Sequence, residues 1–219
     1  MNVLALVFAA GQPGLPLLTD PAAVAAVYGS GAQASVVALV MGIMAMTGEY
    51  RSQTITATFL AEPHRGRVVA AKMAFFGITG LILGAIVALV ILGLAAPLMA
   101  IRHAAAISAT DAAEILLAVP LAYAIYAILG VAFGALVRHQ VAALVIALLW
   151  VLIVESLIVT FLPGVGRWLP GGALVSMMHG TPESAGDHLS PPLAGLLLVC
   201  YAFVFAGAAT RATLRRDIT

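Results

Sequence analysis

Charge is scarce in this chain. Asp, Glu, Lys and Arg make up only 9% of its 219 residues, against 63% hydrophobic, and mean hydropathy is +1.13. A soluble domain of this length needs about a quarter of its residues charged, so a soluble fold is excluded. Lysine is nearly missing: Lys72 is the only one. No G-x-x-x-x-G-K-[ST] sequence occurs, so the chain lacks the Walker loop that cradles ATP phosphates. The single cysteine, Cys200, has no partner in the chain; lying in an apolar run, it reads as a small core hydrophobe. The apolar runs show no period-two alternation, which argues against barrel strands. In lipid the backbone must then be satisfied within each segment, so the runs are helices and the class is all-α polytopic membrane protein.

The spans follow from the apolar runs. Residues 32–48, 68–98, 112–137, 140–162 and 191–212 read as five full transmembrane helices in one domain. Residues 1–11 read as a partial span: the run is about 10 residues long where ~20 are needed, and no basic residue precedes it as in a signal peptide. It is taken as the outer end of a first helix, expected if the true start lies upstream or the chain is a fragment. Residues 49–67 form a polar loop, 163–190 a Pro/Gly-rich external loop, and 213–219 a basic tail. Pro120 predicts a kink in the 112–137 helix. With the 49–67 loop inside, Arg51, Arg65, Arg67, Lys72, Arg138, Arg211, Arg215 and Arg216 fall inside, and only Arg102 and Arg167 fall outside. That imbalance is a positive-inside signal, with loop and C-terminus cytoplasmic.

The chain is organised around the stretch GEYRSQTITATFLAEPHRGRVVAAK, Gly48–Lys72. Cytoplasmic loops are commonly basic, which accounts for its arginines. Its other features need a further reason. Ile55 and Phe59, four apart, would share one helix face, with Thr54 and Thr58 beside them; Pro63 would end such a helix. The alternation of Thr54, Thr56 and Thr58 suits a strand equally well.

This stretch resembles the cytoplasmic loop of ABC-2-type permease subunits, the membrane halves of bacterial ABC exporters. In that family a glutamate-aromatic-arginine group closes the second helix. A threonine-rich coupling segment, a proline, two basic residues and a lysine opening the third helix follow. The matching residues are Glu49, Tyr50, Arg51, Thr54, Thr58, Pro63, Arg65, Arg67 and Lys72. The resemblance extends through GALVRHQVAAL and VGRWLPGGA. It implies a short coupling helix between the second and third helices. It further implies a second permease subunit, identical or related, and ATP-binding subunits carrying the ATP and magnesium. The contact with the ATPase would then be made by Glu49, Arg51, Thr54, Ile55, Thr58, Phe59, Pro63, Arg65, Arg67 and Lys72. The implied location is the inner (plasma) membrane and the implied role is export of a small or amphipathic compound, with no catalysis on this chain. No cofactor, metal or nucleic-acid partner is expected; the lipid bilayer is.

Glu155 is the only acid deep in a span. A charge at such depth is costly, so its side chain should face the bundle, an aqueous path or a partner helix. It reads either as a polar point on a substrate route or gate, or as a protonated carboxyl hydrogen-bonded to a neighbouring helix or one close enough to the interface to be wet. The pairs Gly80–Gly84 and Gly130–Gly134 permit close helix approach within the subunit. Tyr123, Tyr126, Phe75 and Phe76 read as packing rather than a ligand path. Arg167-Trp168-Leu169-Pro170 reads as an outer interfacial helix. His179, Glu183, Asp187 and His188 match no metal-ligand spacing. Two other classes compete: an intramembrane protease, which needs paired acids at bilayer depth, and an accessory or scaffold membrane protein.

Overall fold

A computed structural model describes residues 34–54, 65–101, 109–178 and 189–215. All regular elements among them are helical. Four are long and apolar enough to cross a membrane, over Gly66–Gly93, Ala112–Val137, Gln140–Phe161 and Pro191–Arg211. The protein is a helical membrane protein. The expected partial span at 1–11, the segment 55–64 and the acid-histidine stretch 179–188 lie outside the described residues.

Helix α1, Val36–Arg51, is 16 residues long. At 1.5 Å per residue it reaches about 24 Å, short of a roughly 30 Å hydrocarbon core. It carries the expected span past residue 48 to include Glu49, Tyr50 and Arg51, and it stops where Gln53 turns left-handed, at φ 58°. Arg51 in its last turn complements the helix dipole. In its apolar stretch the Thr47 hydroxyl donates to the Ile43 carbonyl at 2.7 Å, so it needs no outside partner.

Helix α2, Arg65–Ile101, has 37 residues. It is far longer than one perpendicular crossing, so it tilts or projects from the bilayer. Its outward face is apolar, with Phe75, Ile78, Ile82 and Leu89 exposed as a lipid-facing surface requires. Helix α3, Ala109–Val137, is the centre of the bundle and packs against α1 and α2. In its membrane window 67% of residues are buried, against 17% for the Gln140–Phe161 span. Its run Ala122–Ala127 is buried throughout, including Tyr123 and Tyr126.

Small residues allow this centre to close. At the α1–α3 crossing a Cβ on Gly42 would collide with the Ala127 carbonyl oxygen, and one on Gly130 with the Leu39 carbonyl oxygen. On the other side a Cβ on Gly80 would stand 2.6 Å from the Tyr123 carbonyl oxygen, and one on Gly84 2.6 Å from the Pro120 Cα. Both glycine pairs thus serve contacts inside the subunit, where backbones meet without side chains between them.

Arg138 and His139 make a tight turn at the end of α3. Arg138 is left-handed at φ 59°. His139 Nδ1 accepts the Ala142 N–H at 3.2 Å, capping helix α4, Gln140–Leu149. A π-helical turn, Trp150–Val154, leads into α5, Glu155–Phe161.

The stretch expected as an external loop is folded in its first half. Short α6, Pro163–Gly166, and α7, Pro170–Met178, turn back against the bundle, with Ala173, Leu174, Ser176 and Met177 buried. Gly166 sits against Val159, and the Tyr201 hydroxyl donates to the Trp168 carbonyl at 2.9 Å. Arg167-Trp168-Leu169 is therefore the turn between α6 and α7, not an interfacial helix. The Pro/Gly content that signalled a loop instead supplies an N1 proline for each of these helices and close backbone contacts. Helix α8, Pro191–Arg215, completes the bundle against α3 and α7. Cys200 is exposed on α8, which corrects the core reading: an apolar run in lipid has two apolar sides, and only one faces protein.

Candidate functional site

Among the described residues two polar places interrupt the apolar body. The first is the basic end, where α1 and α4 meet α2, α3 and α8. The Glu49 carboxylate pairs with Lys72 Nζ at 2.5 Å, and the same ammonium donates to the Ala45 carbonyl at 3.2 Å. Lys72 lies one to two turns into α2, so the pair ties the end of α1 to α2 on both sides of the polar loop. Arg51 donates to Gln140 Oε1 at 3.2 Å, and the Arg138 guanidinium lies 5.5 Å from the centre of the Tyr50 ring. The base of the loop is thereby held to the α3–α4 turn as well. A Cβ on Gly66 would lie 3.2 Å from Thr210, so the end of α8 joins this group, with Arg211 beside it. Met46, Val69, Met73, Ala135 and Ala209 form an apolar floor below.

The residues named from the sequence divide as follows. Glu49, Arg51 and Lys72 come together in this cluster. Thr54 lies exposed just beyond α1, its hydroxyl 3.0 Å from that of Ser52. Arg65 opens α2 and Arg67 is exposed in its first turn. Ile55, Thr58, Phe59 and Pro63 lie outside the described residues. Arg138 counts among the inside basic residues and both it and Gln140 fall in the GALVRHQVAAL match, but neither is expected from the sequence to touch Tyr50 or Arg51. The one available signal was that the Arg138-His139-Gln140 turn falls on the same side as the loop.

The second place is Glu155. It is 2% exposed, although it lies in a span only 17% buried overall. Its Oε1 accepts the Gly171 N–H, with the Gly172 N–H beside it, so the carboxyl caps the start of α7. A Cβ on Gly171 would stand 2.9 Å from the Glu155 carboxyl carbon; glycine is what lets the two approach. The expected hydrogen bond to a neighbouring helix is present, with the carboxyl as acceptor. Its Oε2 is buried without a hydrogen bond.

The π turn explains how Glu155 faces inward. Ala143 and Ala147 are buried, Val151 is half-buried and Glu155 is buried, always four residues apart. In a regular α-helix steps of four drift by about 40° each, so Glu155 would stand roughly 120° away from Ala143. The wider turn, in which the Glu155 N–H bonds to the Trp150 carbonyl five residues back, absorbs that drift.

Beside Glu155 lies an apolar cavity of about 320 Å³ between α1, α3, the Gln140–Phe161 span, the start of α7 and α8. Tyr126, Phe133, Trp150 and Glu155 are in its wall. The Tyr126 hydroxyl is buried and makes no hydrogen bond. Among the described residues no group of three or more His, Cys, Asp or Glu could hold a metal ion.

No family model, curated protein or solved structure matches this chain. Any function must therefore be argued from these two places.

Proposed function

We propose that the chain is the membrane-spanning permease subunit of an ATP-binding-cassette exporter of the ABC-2 type. On this reading the basic end faces the cytoplasm and receives its mechanical input through the loop after α1. The observation that carries the proposal is the tie between loop and bundle. Glu49–Lys72, Arg51–Gln140 and the Arg138–Tyr50 contact join the base of the loop to α2 and to the α3–α4 turn. A push on that loop thus reaches several helices at once instead of bending one linker. The resemblance of Gly48–Lys72 to the coupling loop of such permeases adds support. ATP and magnesium would sit on a separate ATP-binding subunit, which must bind one permease conformation better than the other to move it. A second permease subunit would complete the assembly.

The test uses the single cysteine. On a Cys200→Ser background, Thr54→Cys places a thiol at the exposed end of α1. In membranes of the native host, a membrane-impermeant maleimide should label it only in inverted vesicles. A short bifunctional cross-linker should join it to an ATP-binding protein whose hydrolysis rate changes when the chain is removed. Labelling from outside the cell, or cross-links to no ATPase, would refute the reading.

A further inference from the structure

We propose that the cavity between α1, α3 and the Gln140–Phe161 span is a binding site for an amphipathic organic amine, its ammonium on Glu155 and Tyr126 and its apolar body against Phe133 and Trp150. As cargo this amine rests on the transport reading above; as a ligand it does not.

Two buried polar groups in one apolar wall are left incomplete. Glu155 and Tyr126 are each 2% exposed, yet Glu155 Oε2 and the Tyr126 hydroxyl make no hydrogen bond. Buried polar atoms are nearly always satisfied, so a pair of exceptions lining the same space points to a group that enters it. The chemistry of that group follows from the wall. A carboxylate accepts only, and one of its oxygens already takes the Gly171 N–H. An ionised oxygen set among apolar side chains persists only beside a cation carrying N–H donors, because alone it takes up a proton instead. Aromatic faces attract cations too, and Tyr126, Phe133 and Trp150 supply three. A volume of about 320 Å³ is that of a small-molecule pocket, the space of roughly ten waters. The rest of the wall, including Leu39, Leu129 and Val151, offers no polar partner, so the remainder of the ligand is hydrocarbon.

Three probes of like shape separate the contributions: 4-phenylbutylamine, 4-phenylbutanol and pentylbenzene. Each is dialysed to equilibrium against the full chain in lipid nanodiscs, with binding to protein-free nanodiscs subtracted. The amine should bind saturably, one per chain, and more tightly than the alcohol; pentylbenzene should bind weakest. Glu155→Gln keeps an acceptor for the Gly171 N–H and should weaken the amine by about tenfold, the loss of one charge-assisted hydrogen bond, while leaving pentylbenzene unchanged. Tyr126→Phe should weaken amine and alcohol alike. Ala147→Trp, which fills the cavity from its wall, should abolish binding of all three. Gel filtration and thermal melts identify any variant that has not folded, and Glu155→Gln with Tyr126→Phe decides the matter without Ala147→Trp.

The proposal is overturned by three results. They are no saturable amine binding above protein-free discs, equal affinity for amine and pentylbenzene, or an amine affinity indifferent to Glu155→Gln. A tightly held phospholipid chain or the chain's own N-terminal segment occupying the cavity would appear as the first of these. Saturable amine binding without ATPase cross-linking refutes the exporter and leaves the site standing; cross-linking without amine binding does the reverse.

Discussion

Glu49 and Glu155 are the two acids set against the apolar body whose partners the structure describes, and they are held by opposite means. Glu49 stands at the basic end and answers a cation, Lys72, across two helices. Glu155 stands inside a span and answers backbone N–H groups at the start of α7. The Lys72 and Glu49 side chains remain 17% and 29% exposed, so water and salt share in that pair. Glu155 is shut off from both. One contact can be made and broken by a partner arriving from solution, whereas the other holds unless α7 itself moves. The basic end suits regulation, and the Glu155 site suits a fixed pocket.

The largest expected effect is at Glu155. Glu155→Ala removes the acceptor from the part-buried Gly171 N–H at the start of α7 and should lower stability by about 2–3 kcal/mol. Thermal unfolding of the detergent-solubilised protein measures it. Next is Gly171→Ala, whose Cβ meets the Glu155 carboxyl; it should cost roughly 1–3 kcal/mol in the wild type. The same change in a Glu155→Ala background should cost much less, since the obstructing carboxyl is gone, and the double-mutant cycle tests this directly. Additive costs would show that the glycine serves some other contact.

Smaller effects belong to the basic end. Lys72→Ala should cost between the ~0.5 kcal/mol of an exposed pair and the ~3 kcal/mol of a buried one. High salt should shrink that cost and leave the cost of Glu155→Ala alone, because screening acts on exposed charge. Equal salt dependence at both glutamates would erase the distinction drawn above. Arg51→Ala is the smallest, about 0.5 kcal/mol or less in melting experiments, its hydrogen bond to Gln140 being exposed. If the exporter reading holds, this same variant should still lower ATPase stimulation, separating a coupling role from a structural one.

Much of the basic end was legible in advance. Glu49, Arg51 and Lys72 stand out through the resemblance of Gly48–Lys72 to a family loop, in a polar stretch between two apolar runs. Their grouping with Arg138 follows once the spans alternate. The inner site was only half legible. Glu155 stood out as an acid in a span, but its partner did not, since Gly171 lies sixteen residues on and past a chain reversal. Proline and glycine at 163–172 are loop signals in a linear reading, whereas in the fold they open short helices that turn back. Tyr126 looked like ordinary packing because helical spacing alone cannot distinguish a packed hydroxyl from one facing a cavity.

The amino-acid order by itself determined the membrane class, the presence of helices long enough to cross a bilayer (four among the described residues where five were expected) and the gathering of basic groups at one end. Each follows from local composition measured against a fixed bilayer thickness. Tertiary structure alone decided which way Glu155 points, what it bonds and the existence of the cavity beside it. Helical phase is a local property only while the helix is regular. The π turn at Trp150–Val154 shifts that phase, and the reversal after Phe161 brings α7 to meet the carboxyl. Both outcomes depend on how distant segments pack, which no window of sequence contains.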